Sequence, residues 1–374
     1  MEENTFICAN CGQSFPLQEG HVVGNDQLCH DCMESETVEC IHCGAHVYND
    51  LNSGTDEIPL CAACFDRYED AICEHCGVLL RGGEAFYVGE DDIPYCRACY
   101  ERYRGSEVIH AYNYKPDPTF YGEGPRYFGV ELEIDGAGER NDYAKEVLAA
   151  GNPEGKEHIY AKRDGSLDDG FEIVSEPMSL EYHCNEMPWD QVLEKARQLG
   201  YKSHSVSTCG LHVHISRLAF GETEEQQEAC IARILYFFEK HWEELLKFSR
   251  RTPRQLERWA ARYGYKEQPM EILSHAKKGT HAGRYTCINL EPIATIECRM
   301  FRGTLKLNTF KATLQLMDRI CDVAIHLSDD ELKAMSWSTF VSGITEQDMP
   351  ELVKSLKERR LYVNDIIEEQ EVEV

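Results

Sequence analysis

Twelve cysteines arranged as six C-x-x-C pairs occupy the first hundred residues, and no other feature restricts the folding of this chain as tightly. The pairs are Cys8/Cys11, Cys29/Cys32, Cys40/Cys43, Cys61/Cys64, Cys73/Cys76 and Cys96/Cys99. Taken two at a time in chain order they enclose 17, 17 and 19 residues, and the first cysteine recurs after 32 and then 33 positions. A fixed period of this kind marks an array of small units. Two thiolates three positions apart suit one tetrahedral ion better than they suit bridges between distant strands. Each quartet is therefore expected to close around zinc, in zinc-ribbon-like fashion, in a reducing compartment. Grouping shifted by one pair would strand the first and last pairs, so the in-register grouping is preferred. Four thiolates leave no open coordination position, which makes these zincs architectural rather than catalytic. Gly12, Gly44 and Gly77 follow the first pairs, where a positive φ can turn backbone N–H groups toward sulfur. His30, His42, His46 and His75 lie nearby and are expected to be surface residues. A unit of roughly 30 residues lacks a sufficient core, so zinc binding, on the order of 10 kcal/mol, would supply most of its folding energy.

The 374 residues exceed one typical domain. Of the net charge of −28, residues 1–105 supply −15, from five arginines, no lysine and 20 acidic residues. Such a surface repels a phosphate backbone, so the cysteine modules imply no nucleic-acid partner. No apolar run reaches the roughly 18 residues of a membrane span, and residues 1–6 lack a basic, apolar leader. A cytoplasmic protein with no membrane partner is expected. The expected boundaries are three zinc modules over 1–36, 37–69 and 70–105, a linker over 106–124, a catalytic domain over 125–344, and a C-terminal helix with a solvated acidic tail over 345–374.

Beyond the linker the hydrophobic pattern changes to period two. Residues 127–135 put Phe128, Val130, Leu132 and Ile134 on one face and Glu131 and Glu133 on the other. Residues 211–216 oppose His212 and His214 to Leu211, Val213 and Ile215, and residues 295–301 oppose Glu297 and Arg299 to Ile296, Cys298 and Met300. A fourth strand is expected around Glu172, with Glu176 on the same side, and a fifth over 284–290. Capping boxes at Thr223/Gln226 and Ser328/Glu331 open helices, the first expected to run to about Phe248; residues 308–326 are amphipathic. Strands and helices mix without a βαβ repeat, so the expected class is α+β, an open antiparallel sheet backed by helices on one side. Its polar face gathers carboxylates, imidazoles and arginines, the donors of a hard-cation site facing a polyanion such as a nucleoside triphosphate.

Six motifs stand in order along the chain. The first three are Phe128-Gly129-Val130-Glu131-Leu132-Glu133-Ile134, Lys162-Arg163-Asp164-Gly165-Ser166-Leu167 and Glu172-Ile173-Val174-Ser175-Glu176-Pro177. Cys209-Gly210-Leu211-His212-Val213-His214 follows, then Arg284-Tyr285 with Asn289-Leu290. Last comes Thr295-Ile296-Glu297-Cys298-Arg299-Met300-Phe301-Arg302-Gly303-Thr304-Leu305. Together they resemble the amidoligases of the carboxylate-amine ligase superfamily, which includes glutamine synthetase and glutamate-cysteine ligase. The resemblance covers roughly 125–327. It implies a glutamine synthetase-like catalytic domain that uses ATP and Mg²⁺ to join a carboxylate to an amine through an acyl phosphate. The substrate would be an amino acid, peptide or protein. Carried over residue by residue, it makes Glu131, Glu133, His214, Glu297 and Arg299 the catalytic set. Glu131, Glu133, Glu172, His212, His214 and Glu297 would hold magnesium, and Lys162, Arg163, Arg284 and Arg302 would face phosphate or a substrate carboxylate. Two other classes stay open: a zinc hydrolase working through His212 and His214, and a zinc-stabilised adaptor without catalysis. The zinc modules are expected to contact a protein partner or substrate.

Overall fold

The computed structural model describes residues 5–67, 71–88, 92–205, 208–279 and 283–363; the acidic tail at 368–374 lies outside them. The chain divides into two units, Met1–Glu107 and Val108–Val374.

The first unit is built from small antiparallel hairpins followed by short helices. His30–Glu36, Ala62–Arg67 and Arg97–Ser106 each start at a second cysteine pair. The residues ahead of two of these pairs, Leu28 and Leu60, are fully buried and centre the small cores. Gly12, Gly44 and Gly77 take φ of 71°, 73° and 69°. Each donates its N–H to the carbonyl of the first cysteine, closing the knuckle that aims both thiols inward. The quartets form in register: Cys8/Cys11/Cys29/Cys32, Cys40/Cys43/Cys61/Cys64 and Cys73/Cys76/Cys96/Cys99 each bring their four sulfurs within 4.8 Å of one another. Sulfurs of Cys11 and Cys29 stand 4.0 Å apart, and those of Cys43 and Cys61, and of Cys76 and Cys96, 3.8 Å. A tetrahedron with zinc–sulfur bonds of about 2.3 Å has edges of about 3.8 Å, so the spacing fits zinc. Burial pushes the Cys8 thiol up, but the N–H groups of Cys29 and Cys11 outweigh it and bring it down to about 6; Cys40 and Cys73 behave alike.

The second unit is a mixed α+β fold around a seven-stranded sheet. Its strands are β1 (Ile109–His110), β2 (Phe128–Asp135), β3 (Ile159–Lys162), β4 (Gly170–Ser175), β5 (Gly210–Ser216), β6 (Ile288–Asn289) and β7 (Thr295–Arg302), in the order β1-β3-β4-β2-β5-β7-β6. All neighbours are antiparallel except β1 and β3. Phe128, Val130, Leu132, Ile134, Ile173, Val213, Ile215, Ile296 and Cys298 point to one side, into a core shared with helices. Helix Leu307–His326 is the most deeply buried of these and packs on Pro350–Glu358 and Glu224–Lys240. Helices cover that face because period-two alternation leaves it wholly apolar, worth about 1.5–3 kcal/mol per large side chain buried.

Three expectations differ in detail. The segment 106–124, read as a linker, supplies the edge strand β1 and one wall of the main cavity. The fifth strand shrinks from 284–290 to Ile288–Asn289, because Ala261 and Cys287 pair outside the sheet. The helix expected from Thr223 to Phe248 breaks at His241, whose φ and ψ of −107° and 33° end Glu224–Lys240 and start Trp242–Ser249. The buried His241 ring packs against Phe237 and Trp337 there.

A second buried imidazole ties the sheet to its helices. His183 Nε2 donates to the Phe128 carbonyl (3.0 Å), and Trp189 Nε1 donates to His183 Nδ1 (3.1 Å). Nδ1 must stay unprotonated, and burial holds the imidazole down at about 4. The unfolded ring titrates near 6.5. Stability from this group is complete above that value and is lost as pH falls toward 4, by about 2 kcal/mol at pH 5 and about 3 in full. All four tryptophans lie in this unit, so their fluorescence reports it alone. The urea midpoint followed this way is expected to drop between pH 7 and pH 5, and to drop less in His183→Gln; equal drops would remove the assignment.

Candidate active site

The open face of the sheet assembles the site by register. Glu131 lies opposite His212 and Glu133 opposite Glu172, while His214 pairs with both Gly129 and Glu297. Directly paired residues on one face bring side chains within about 5 Å at Cβ, so strands distant in sequence converge on one patch. Between Leu211/Phe301 and Val213/Cys298 the register shifts, so that Arg299 and Met300 together oppose the single His212. This bulge swings Arg299 onto Glu297, which accepts from Arg299 Nη1 and, at 2.7 Å, from Asn289 Nδ2. Gly210 lacks the Cβ that would meet His212 Nε2 at 2.6 Å and Arg251 Nη2 at 2.8 Å. Its N–H donates to Glu133 Oε2.

His212 is the hub. Its Nδ1 lies 3.4 Å from Glu131 and 3.5 Å from Glu297, and its Nε2 lies 3.6 Å from Glu133. Two three-donor groups share it, Glu131/His212/Glu297 and Glu133/Glu172/His212, each with its donor atoms within 4.8 Å of one another. His214 sits beside these groups, with Nε2 3.2 Å from Glu131 and Nδ1 3.1 Å from the Thr295 hydroxyl. Lys162 stands 3.7 Å from Glu172.

Charge in the patch is unbalanced. Four carboxylates face three cations, Arg299, Lys162 and Arg251, and the surplus of negative charge appears where burial is deepest. Burial, reinforced by Glu131, pushes the Glu172 carboxyl well up, and burial pushes Glu133 up against the pull of His212. Burial opposes ionisation of Glu131 too, but His214 and His212 outweigh it and hold its carboxyl well below the usual range. An oxygen-rich, over-negative, buried donor set fits a hard divalent cation. Beside it, the guanidiniums of Arg251 and Arg299 each keep a buried Nε–H without an acceptor, as does Arg302 on the same strand as Arg299. These are donors that an anion could satisfy.

Beyond Glu131, His214 and Glu297 opens a cavity of about 830 Å³. Its walls include Lys162 and Arg284, and segment 112–120 supplies Tyr112, Tyr114 and Phe120. Arg284 donates to the Tyr112 and Tyr285 hydroxyls. Tyr114 stacks on His110 at 3.7 Å and meets Tyr160 edge-on at 5.5 Å.

The structure thus brings together Glu131, Glu133, Glu172, His212, His214, Glu297, Arg299 and Lys162. Arg284 lines the cavity farther out. Arg163 turns away, pairing with Glu139 at 2.6 Å, and Arg302, opposite Gly210, is not part of the cavity wall. Sequence reasoning did not single out Arg251, Asn289, Tyr112 or Tyr160 as site residues. Of these, Asn289 stands in the motif Arg284-Tyr285 with Asn289-Leu290 and in an expected strand, and nothing local marks the other three.

Residues 152–321, under half of the chain, match the model of the family described as "Putative amidoligase enzyme", which supports a ligase-type enzyme. No curated protein sequence matches the chain. Among solved structures, a bifunctional glutathione synthetase from Pasteurella multocida is similar, with 15% identity and a TM-score of 0.33 over 63% of this chain. The similarity spans 46% of that chain, less than half its length. Among the described residues, no helix is long and apolar enough to cross a membrane.

Proposed function

We propose that this protein is an ATP-dependent carboxylate-amine ligase that forms an amide through an acyl phosphate. The observation that carries this reading is the pair of three-donor groups sharing His212, set beside arginines whose buried Nε–H groups lack acceptors. Glu131, Glu133, Glu172, His212 and Glu297 would hold Mg²⁺, with His214 keeping Glu131 in place. The ion supplies charge neutralisation for the triphosphate when bound. Arg299, anchored by Glu297, would offer its Nε–H to an oxygen of the transferring phosphoryl group, and Arg251 and Arg302 would take the phosphates left on the nucleotide. Lys162 and Arg284, on the cavity wall, would orient the carboxylate substrate. Transfer of the γ-phosphate to that carboxylate makes phosphate the leaving group, and attack by an amine then releases it with formation of the C–N bond. The donor set is dominated by carboxylates and contains one imidazole per group, which suits magnesium better than the imidazole-rich centre of a zinc hydrolase.

Incubation with ATP, Mg²⁺ and pooled amino acids or peptides is expected to release ADP and phosphate. Added hydroxylamine should divert the acyl phosphate to a hydroxamate. Turnover that needs no nucleotide yet stops with chelator would favour the hydrolase and sink the ligase. The zinc modules would serve recognition of a peptide or protein substrate in a cytoplasmic setting.

A further inference from the structure

Glu176 follows β4 directly and lines the cavity, yet it is only 8% exposed. Its Oε2 accepts the Thr119 N–H at 2.8 Å, and among the described residues no donor reaches Oε1. Burial pushes this carboxyl up, the Thr119 N–H opposes that, and Glu157 adds a second negative charge nearby. Three of the cations lining the cavity are committed elsewhere: Lys162 to Glu172, Arg299 to Glu297, and Arg284 to Tyr112 and Tyr285. The fourth, Lys115, is exposed to solvent. The cavity that this carboxylate lines has aromatic walls, and its charge is felt by the Tyr160 hydroxyl. Tyr160 meets Tyr114 edge-on, and Phe120, next to Thr119, meets Tyr127 edge-on at 5.0 Å.

A carboxylate with one oxygen bound to Thr119 and the other open to an aromatic-walled cavity is a poor place for an anion and a good one for an ammonium on an apolar stem. The carboxylate takes the charge-assisted hydrogen bond, while the rings take the alkyl chain and the remaining positive field. The same cavity ends at Glu131, His214 and Glu297, so an amine held here shares one chamber with the proposed phosphoryl-transfer centre. We propose that Glu176, with the ring walls of Tyr160, Tyr114 and Phe120, is the amine subsite, and that the amine substrate is an aliphatic primary ammonium such as a lysine side chain. This rests on the ligase reading for the word substrate, but the binding itself does not need turnover.

The test is calorimetric titration of n-butylammonium into the full-length protein at about 0.15 M salt, which screens the general negative charge, with n-butanol as the uncharged control. Saturable binding is expected in the wild type, not competed by n-butanol. It should weaken about tenfold or more in Glu176→Gln, which retains an acceptor for the Thr119 N–H, and less in Tyr160→Leu. Equal affinity in wild type and Glu176→Gln, competition by n-butanol, or no saturable binding in the wild type overturns the assignment. MgATP titrated into the same samples separates the two ideas. Intact butylammonium binding without MgATP binding would fall on the ligase reading, whereas equal butylammonium affinities fall on Glu176 alone.

Discussion

Glu131→Gln is expected to lower amine-dependent ADP release about 100-fold or more while leaving the fold unchanged. Glu131 stands between two imidazoles, 3.4 Å from His212 and 3.2 Å from His214, and opens onto the cavity. The imidazoles keep it ionised against its burial, so it presents a full charge to a cation at the working pH. Glutamine fills the same volume and can still accept a hydrogen bond, but it removes that charge. A hundredfold loss corresponds to about 2.7 kcal/mol of transition-state stabilisation, ordinary for one preorganised electrostatic group. The Mg²⁺ concentration for half-maximal turnover should rise as well, which a general packing defect would not produce. Unaltered turnover with an unaltered Mg²⁺ requirement would remove Glu131 from the centre. The adjacent Glu297→Gln is a poorer probe, because it leaves the buried Arg299 guanidinium without its counter-charge and stability falls together with activity.

Local pattern made the heart of this site legible. Glu131/Glu133, His212/His214 and Glu297/Arg299 occupy alternate positions on strands whose other face is apolar, and period two forces both members of each pair onto the open side. That the three strands would be neighbours, in the order β2-β5-β7, was beyond periodicity, and so was the bulge that turns Arg299 toward Glu297. Segment 112–120 was harder still. With Pro116 and Pro118 and no alternation it has the composition of a connection, yet it walls the cavity through Tyr112 and Tyr114. Nothing local distinguishes a tyrosine in a free loop from one stacked on His110. Arg251 belongs to the same class: it follows a left-handed Arg250 at the end of a helix, and only the folded chain brings its guanidinium beside Gly210. Arg163 lies apart from this patch for the opposite reason. Its neighbour Lys162 ends β3 facing inward, so the next residue turns outward, to Glu139. The zinc modules needed no such context, because spacing alone sets which sulfurs can meet.

Those modules carry the other large effect. Prolonged chelation at neutral pH is expected to remove three zinc ions per chain and to unfold residues 1–107, leaving the second unit folded. The small cores of the first unit consist chiefly of the cysteines themselves with Phe6, Val23, Leu28, Leu60 and Leu80. Cores this small cannot by themselves hold about 30 residues each in order, so the metal, on the order of 10 kcal/mol per module, decides whether they fold. Four clustered thiols without an ion also repel on ionising: Cys64 and Cys99, pushed up to about 12 by burial and by their neighbouring sulfurs, show how unfavourable the fully deprotonated quartet is without a cation. The second unit holds its own extensive apolar core and all four tryptophans, so tryptophan fluorescence should stay native after chelation while limited proteolysis cuts within residues 1–107. Readdition of Zn²⁺ should restore resistance with a stoichiometry of three. Cys29→Ser should cost one zinc and open the first module before the others, because each quartet closes on itself while Tyr48 of the second module packs on the first core. Proteolytic resistance that survives complete loss of zinc would mean that the small cores suffice, and the architectural role of the ions would fall with it.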